Sequence, residues 1–291
     1  MTLGPVNIKY RHQRTVREMN RLAGGLEMSS NSANLYFNDF NMPGILYLVP
    51  NTLGPADLAA VDILSAILPA QVQALAARLD YFIAENAKTT RAFLKLVNVT
   101  HALTTPLQQI KISELNVNTP AAALPALLEP LLAGHDAGLI SEAGVPAVAD
   151  PGANLVRLAH ERGIQVRPLV GPSSLLLAVM SSGLNGQSFA FNGYLPTDAA
   201  QRSKRIKQLE ERSRQEKQTQ LLIETPYRNS AMLEALATSC NGNTLICVAT
   251  DLTLPSETIH TQNASKWRAQ LAAGKMPDFH KKPSVFLLLA E

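Results

Sequence analysis

From position 44 onward, short apolar runs alternate with stretches at helical spacing, and this alternation restricts the fold more than any other feature. ILYLV at 45–49 reads as a buried strand, 57–68 as a helix, YFIA at 81–84 as a strand and 89–97 as a helix. A weaker strand is expected at 109–112, a helix broken by its prolines at 121–133, a strand at 137–141, a helix at 154–162 and a strand at 166–170. A second series opens with a helix at 173–182 and a strand at 189–194. It continues with a long charged helix at 197–217, strands at 219–223, 245–250 and 285–289, and a helix at 229–239. Such alternation argues for an α/β layout with a mostly parallel sheet, because parallel neighbours need a crossover segment between them.

At about 150 residues per domain, the chain of 291 residues makes one large domain or two ordinary ones. The Gly171-Pro172 dipeptide is strong punctuation, so the expected division is 42–170 and 171–291. Residues 1–41 show no sustained period and carry the polar tract SSNSAN at 29–34, which reads as a loose extension ahead of Met42. Its basic residues are followed by no apolar run, so a secretory signal is not expected. No window is apolar for the 18 or more residues of a membrane span. Hydrophobic residues make up 46% and charged residues 17%, which suits a packed core. The cysteines, Cys240 and Cys247, are too few for a disulfide scaffold and suggest a reducing, cytoplasmic setting. The net charge of +3 permits a nucleic-acid partner without demanding one.

Several apolar runs finish on a carboxylate: Glu85, Glu142, Asp150, Glu224 and Asp251. In open α/β sheets the carboxyl ends of the strands face the ligand crevice, so these acids are expected to gather at a polar cleft. Each could instead cap the following helix. Glycine and proline mark the same places, in PNTLGPADL at 50–58, EAGVPAVADPG at 142–152 and GPSS at 171–174. The two serines stand where a helix begins, with N–H groups free to receive an anion or a carbonyl-like oxygen. There is no P-loop and no dinucleotide fingerprint after the first strand. The histidines show no metal spacing, no metal site is expected, and no GxSxG elbow occurs.

The run LISEAGVPAVADPGANLVRLAHERGIQVRPLVGPSSLLLAVMSSGL at 139–184 closely resembles the central signature of the class III, tetrapyrrole-methylase-like S-adenosylmethionine methyltransferases. GILYLVPNTLG at 44–54, FIAENAKTTRAFL at 82–94, FNGYLP at 191–196 and IETPYR at 223–228 extend the likeness. The nearest branch is the ribosomal RNA small subunit methyltransferase I family, which 2′-O-methylates a cytidine. The resemblance implies two α/β domains, each a sheet flanked by helices, with the cofactor in the cleft between them, and a homodimer. Carried over by position, S-adenosylmethionine would touch Pro50 and Gly54, then Glu142, Ala143, Gly144, Val145 and Pro146. Asp150, Pro151 and Gly152 would shape that loop. Ser173, Ser174, Tyr194, Leu195, Thr225 and Pro226 would complete the site. The chain departs from the family pattern at Gly54-Pro55, where Gly-Asn is usual, and at Glu85-Asn86-Ala87-Lys88-Thr89-Thr90, where Glu-Asp-Thr-Arg-His-Thr is usual. The second departure bears on the acceptor.

Methyl transfer requires donor carbon and acceptor oxygen in line at about 3–3.5 Å. A 2′-hydroxyl acceptor also needs a proton sink, for which Glu85 is the first candidate and Glu142 or Asp150 the alternatives. Ribosomal RNA, or the small ribosomal subunit, would meet cationic side chains on the rim. Lys88 and Arg91 share one helix face. Arg202, Lys204, Arg205 and Lys207 open the long charged helix with no acid among them, and Arg228 stands in the TPYR motif. A solvated helix face is the alternative for the long helix. Two other functions remain open from sequence: a methyltransferase for a small tetrapyrrole-like molecule, and a degenerate paralogue that binds cofactor or RNA without turnover.

Overall fold

The computed structural model describes residues 42–54 and 61–290. The proposed extension at 1–41 and the start of the helix expected at 57–68 lie outside the described residues.

Strands β1 (Ile45–Leu48), β2 (Tyr81–Ala84), β3 (Lys111–Glu114), β4 (Ala137–Ile140) and β5 (Gln165–Pro168) form a parallel sheet in the order β3-β2-β4-β1-β5. Successive side chains on a strand point to opposite faces, and the apolar runs are buried on both. Ile45, Tyr47, Phe82, Ala84 and Ile140 pack on one side under α1 (Val61–Ile67), α2 (Ala70–Ala76) and α3 (Ala87–Thr100). Leu46, Tyr81, Ile83, Ala137 and Leu139 pack on the other under α4 (Leu124–Leu127), α5 (Glu129–Leu132) and α6 (Ala153–Glu161). Neighbouring strands β1 and β4 therefore send their following helices to opposite faces. That divergence is the topological switch point at which open α/β sheets bind ligands.

The second sheet is mixed. Its strands β6 (Phe189–Phe191), β7 (Thr219–Ile223), β8 (Leu245–Thr250), β9 (Thr258–Asn263) and β10 (Ser284–Leu289) run in the order β6-β7-β10-β8-β9. Only the β6–β7 pair is parallel. Helix α7 (Ser174–Ser182) covers one face through Ala178 and Val179, against Cys247, Ala249 and Leu287. Helices α8 (Ala199–Glu216), α9 (Asn229–Ser239) and α10 (Ala264–Ala272) cover the other. Here Trp267 is buried and its indole N–H donates to the Ile246 carbonyl at 3.0 Å. Both cysteines are buried and free. Burial, with a smaller push from Glu210, raises the Cys240 thiol to about 12, as suits a core residue.

Several element boundaries differ from the sequence reading. Pro69 separates α1 from α2, since proline has no N–H with which to continue a helix. The weak strand forms two residues later than expected, paired Tyr81 to Lys111. The helix expected at 121–133 is a short 3₁₀ turn followed by α4 and α5, each with a proline in its first turn. Strands β5 and β6 end earlier than expected, at Pro168 and Phe191. PAVAD, read as an apolar run ending on an acid, forms no strand and is a turn. Edge strand β9 and helix α10 were not foreseen, because TIHTQN lacks an apolar run. Among the described residues no helix is long and apolar enough to cross a membrane.

Candidate active site

The carboxyl ends of β1, β2, β4, β7 and β8, and the start of antiparallel β10, surround a cleft of about 310 Å3. From the first sheet come Leu53, Glu85 and the loop from Glu142 to Asp150. From the second come Ser173, Ser174 and Leu175 at the start of α7, Tyr194 after β6, Glu224 and Pro226 after β7, Leu252 after β8, and Pro283 before β10.

Side-chain and main-chain bonds together shape the first wall. Buried Asn51 donates through Nδ2 to the Ser141 and Glu142 carbonyls at 3.1 and 3.0 Å, and its Oδ1 accepts the Thr52 N–H. The Asn51 N–H donates to the Gly144 carbonyl at 2.8 Å, and the Gly144 N–H donates to the Thr52 carbonyl at 3.1 Å. Both main-chain groups of Gly144 are thus engaged in stapling two loops. Gly144 sits at φ +64, and a Cβ there would lie 3.2 Å from Leu53 Cδ2 and 3.5 Å from the Pro172 carbonyl oxygen. The turns at 143–144 and 172–173 therefore meet. Further along, Ala147 and Ala149 adopt φ 66 and 65. Left-handed backbone costs a residue with a Cβ on the order of 1 kcal/mol, and such strain clusters at ligand sites. It brings Val148, Ala149 and Asp150 to the cleft surface.

The cleft is acidic. Glu85, Glu142, Asp150 and Glu224 line it, and no Lys, Arg or His does so among the described residues. Burial, followed by the charge of Glu85 and less of Glu142, pushes the Asp150 carboxyl up to about 6, while a hydrogen bond from Ser141 pulls the other way. Glu85 is held differently, its Oε2 accepting the Glu142 N–H at 3.0 Å. The Tyr194 phenol is raised by burial and then by Asp150, Glu224 and Glu85. The Glu224 side chain, 2% exposed, pairs with the Arg228 guanidinium at 3.2 Å and accepts the Thr225 N–H at 2.8 Å.

Across from these acids lies the start of α7. Ser173 occupies its N-cap position yet makes no side-chain capping bond. By contrast, Asn86 caps α3, Asp198 caps α8 and Asn263 caps α10 through their side-chain oxygens. The first N–H groups of a helix have no intrahelical partner, and those of α7 begin at residues that line the cleft.

Of the positions singled out in the sequence, Glu85, Glu142, Ala143, Gly144, Val145, Asp150, Ser173, Ser174, Tyr194 and Pro226 come together at the cleft. Pro50, Gly54, Pro146, Leu195 and Thr225 are not on its surface. Pro50 is buried against Gly171, where a Cβ would overlap its ring, and Gly54 packs against Leu254. Pro146 is buried, Leu195 points into the second core, and Thr225 faces solvent. The expected substrate cations are dispersed. Lys88 is exposed on α3, and Arg91 donates to the Ala87 carbonyl. Arg202 donates to the Pro196 and Thr197 carbonyls, which ties down the turn before its own helix. Arg205 reaches Gln208, while Lys204 and Lys207 border a shallow groove along α8. Asp251 is spent on Ser256 and Lys282. Sequence reading missed Leu53, Val148, Leu252 and Pro283, since apolar loop residues carry no chemical signature.

Comparison with known proteins accounts for this arrangement. The family described as Tetrapyrrole (Corrin/Porphyrin) Methylases matches residues 65–266. The Ribosomal RNA small subunit methyltransferase I of Vibrio cholerae is 28% identical over 218 residues, covering 74% of this chain and 67% of the relative. Its Synechocystis sp. namesake is 33% identical over 210 residues, covering 72% and 67%. Among solved structures, the methyltransferase CobJ shares the fold at a TM-score of 0.53 and 17% identity, over 85% of this chain and 94% of that one. With the acids, the stapled loops and the open helix start all at the switch point of such a fold, the chain belongs to the tetrapyrrole methylase family, in the ribosomal RNA small subunit methyltransferase I branch, and is a S-adenosylmethionine-dependent methyltransferase.

Proposed function

We propose that this protein transfers a methyl group from S-adenosylmethionine to a 2′-hydroxyl of small-subunit ribosomal RNA. The observation that carries the reading is the cleft itself, where the charged lining residues, all acids among the described residues, share the space with an uncapped helix terminus. A sulfonium nucleoside bearing an ammonium and a carboxylate suits that pairing: the cationic parts match Glu142, Asp150 and their neighbours, and the carboxylate matches the start of α7. The cofactor, when bound, supplies an electrophilic methyl group with a good leaving group. Lobes 42–170 and 171–291, divided at Gly171-Pro172, hold it between them.

Transfer to a hydroxyl would exchange the methyl–sulfur bond for a C–O bond, leaving a neutral thioether, and would release one proton. Asp150 takes that proton in this reading, since its carboxyl titrates near 6 and is ionised at neutral pH while still basic enough to accept. Glu85, the first choice from sequence, instead holds the Glu142 backbone in place. Four carboxylates in the cleft disfavour any polyanion inside it, and a ribosomal RNA strand, unlike a small tetrapyrrole acid, can leave most of its charges outside. The names of the relatives support the same substrate. A homodimer in the cytoplasm completes the proposal, supported by exposed Val170, Leu176 and Met180 near one another in the chain.

Titration calorimetry with S-adenosylmethionine tests the cofactor, and labelled-methyl incorporation into unmodified small-subunit rRNA tests the substrate. A 2′-O-methyl blocks alkaline cleavage, so the label should survive in an alkali-resistant dinucleotide. Binding without incorporation would leave the degenerate paralogue standing; label lost to mononucleotides would move the methyl off the ribose.

A further inference from the structure

An aromatic and two basic side chains stand together where the cleft opens to solvent, and no part of the site described above uses them. We propose that Tyr227, His280 and Lys281 form a platform on which an unpaired RNA base stacks beside the cleft. This rests on the RNA reading given above and adds where the strand is gripped.

Tyr227 directly follows cleft-lining Pro226 and is 71% exposed, unusual for a large aromatic side chain. The His280 ring meets it edge to face, with centroids 6.1 Å apart and planes at 78°. The Lys281 ammonium lies 5.8 Å from the Tyr227 ring centroid. Lys281 has no carboxylate partner among the described residues, whereas nearby Lys282 is paired with Asp251 and Arg228 with Glu224. One cation without a carboxylate partner among the described residues thus sits over an exposed aromatic ring.

The platform is braced from below. The Lys281 N–H donates to the Pro226 carbonyl at 3.1 Å, linking the two loops directly. Fully buried Asn229 donates through Nδ2 to the Phe279 and Lys282 carbonyls at 3.0 and 2.7 Å, on either side of His280-Lys281. Phe279 is buried in the second core. Lys281 is held at φ 62, a backbone region that lysine rarely adopts. A loop pinned at both ends presents its side chains with little ordering entropy still to lose on binding.

The chemistry selects RNA. Unpaired bases stack on exposed aromatic rings, and an adjacent cation meets the backbone phosphate. The carboxylate-lined interior excludes a polyanion, so only the target nucleotide reaches in and the strand must be held outside. Pro226 and Pro283 put this platform at that boundary.

The test uses the full chain, a fluorescein-labelled single-stranded RNA oligonucleotide read by anisotropy, and calorimetry with S-adenosylmethionine. Tyr227→Ala should weaken RNA binding on the order of tenfold with cofactor affinity unchanged, and Tyr227→Phe should restore it, because the ring and not the hydroxyl does the stacking. Lys281→Ala should lower the log–log salt slope by roughly one. Equal RNA affinity for Tyr227→Ala and the native chain would overturn the platform while leaving the methyltransferase reading intact. Loss of cofactor affinity in Tyr227→Ala would assign the ring to the cofactor and likewise overturn it. If the native chain binds no RNA, the RNA reading falls and the platform with it.

Discussion

The two walls of the cleft are built on opposite plans. The first-sheet wall is backbone and carboxylates: loops stapled through Asn51 and Gly144, a turn strained at Ala147 and Ala149, and Glu85, Glu142 and Asp150 facing inward. The second-sheet wall offers an uncapped helix start, Tyr194, prolines, a single acid, Glu224, already paired with Arg228, and cations that stay on the rim. A parallel sheet delivers its loops to one end, where they can press main chain against main chain. A mixed sheet delivers loops and strand starts together and leaves side chains to present. The difference teaches that one wall suits a small cation and the other suits the edge of a polyanion.

Substitutions can break that contrast. Gly144→Val is expected to have the largest effect, lowering S-adenosylmethionine affinity by on the order of 100-fold. A Cβ at φ +64 strains the turn and crowds Leu53, and the branches of valine reach further, so the two loops part. Calorimetry alongside circular dichroism separates this from unfolding; unchanged affinity would remove Gly144 from the site. Next comes Arg228→Ala, which strands the nearly buried Glu224 charge and should cost about 1–2 kcal/mol of stability in denaturant melts. Adding Glu224→Gln should recover much of that loss.

Asp150→Asn sharpens the contrast by its pH dependence. The folded-state pKa lies near 6, above the ordinary carboxylate value of 3.8, so the folded protein holds a proton that the unfolded chain has released. Stability from this group is full below about pH 4 and is lost as pH rises through 6. The Asn variant should therefore melt higher than the native protein at pH 7.5 and match it near pH 4, while methyl transfer falls and its rise through pH 6 disappears. Smallest is the triple change Lys204→Ala, Arg205→Ala and Lys207→Ala, which should lower the salt slope of RNA binding by about 2 without altering cofactor affinity. An unaltered slope would make that stretch of α8 ordinary solvated surface.

The first sheet was the more legible half. Its three central strands are apolar on both faces, so ILYL, YFIA and AGLI stand out whatever surrounds them. The second sheet hid β9, an edge strand whose residues alternate without an apolar core, and α10, which begins directly after it. In the site, the acids and the GPSS turn could be read because polar residues at strand ends are conspicuous. The stapling role of Gly144 and the tyrosine–histidine–lysine group depend on segments far apart in sequence, which local pattern cannot connect. Leu195 and Pro50 show the reverse case, where a motif position was legible but its side chain turns to the core or to a neighbouring loop.

The missing bond at Ser173 has an energetic corollary. A helix whose first turn goes unsatisfied is less stable than its capped counterparts by about 1 kcal/mol. Whatever anion settles there finishes the helix from outside, and because α7 opens the second half while its neighbours in the cleft close the first, that visitor also fastens one half of the molecule to the other. Heat resistance that climbs with ligand concentration is the signature such a latch would leave.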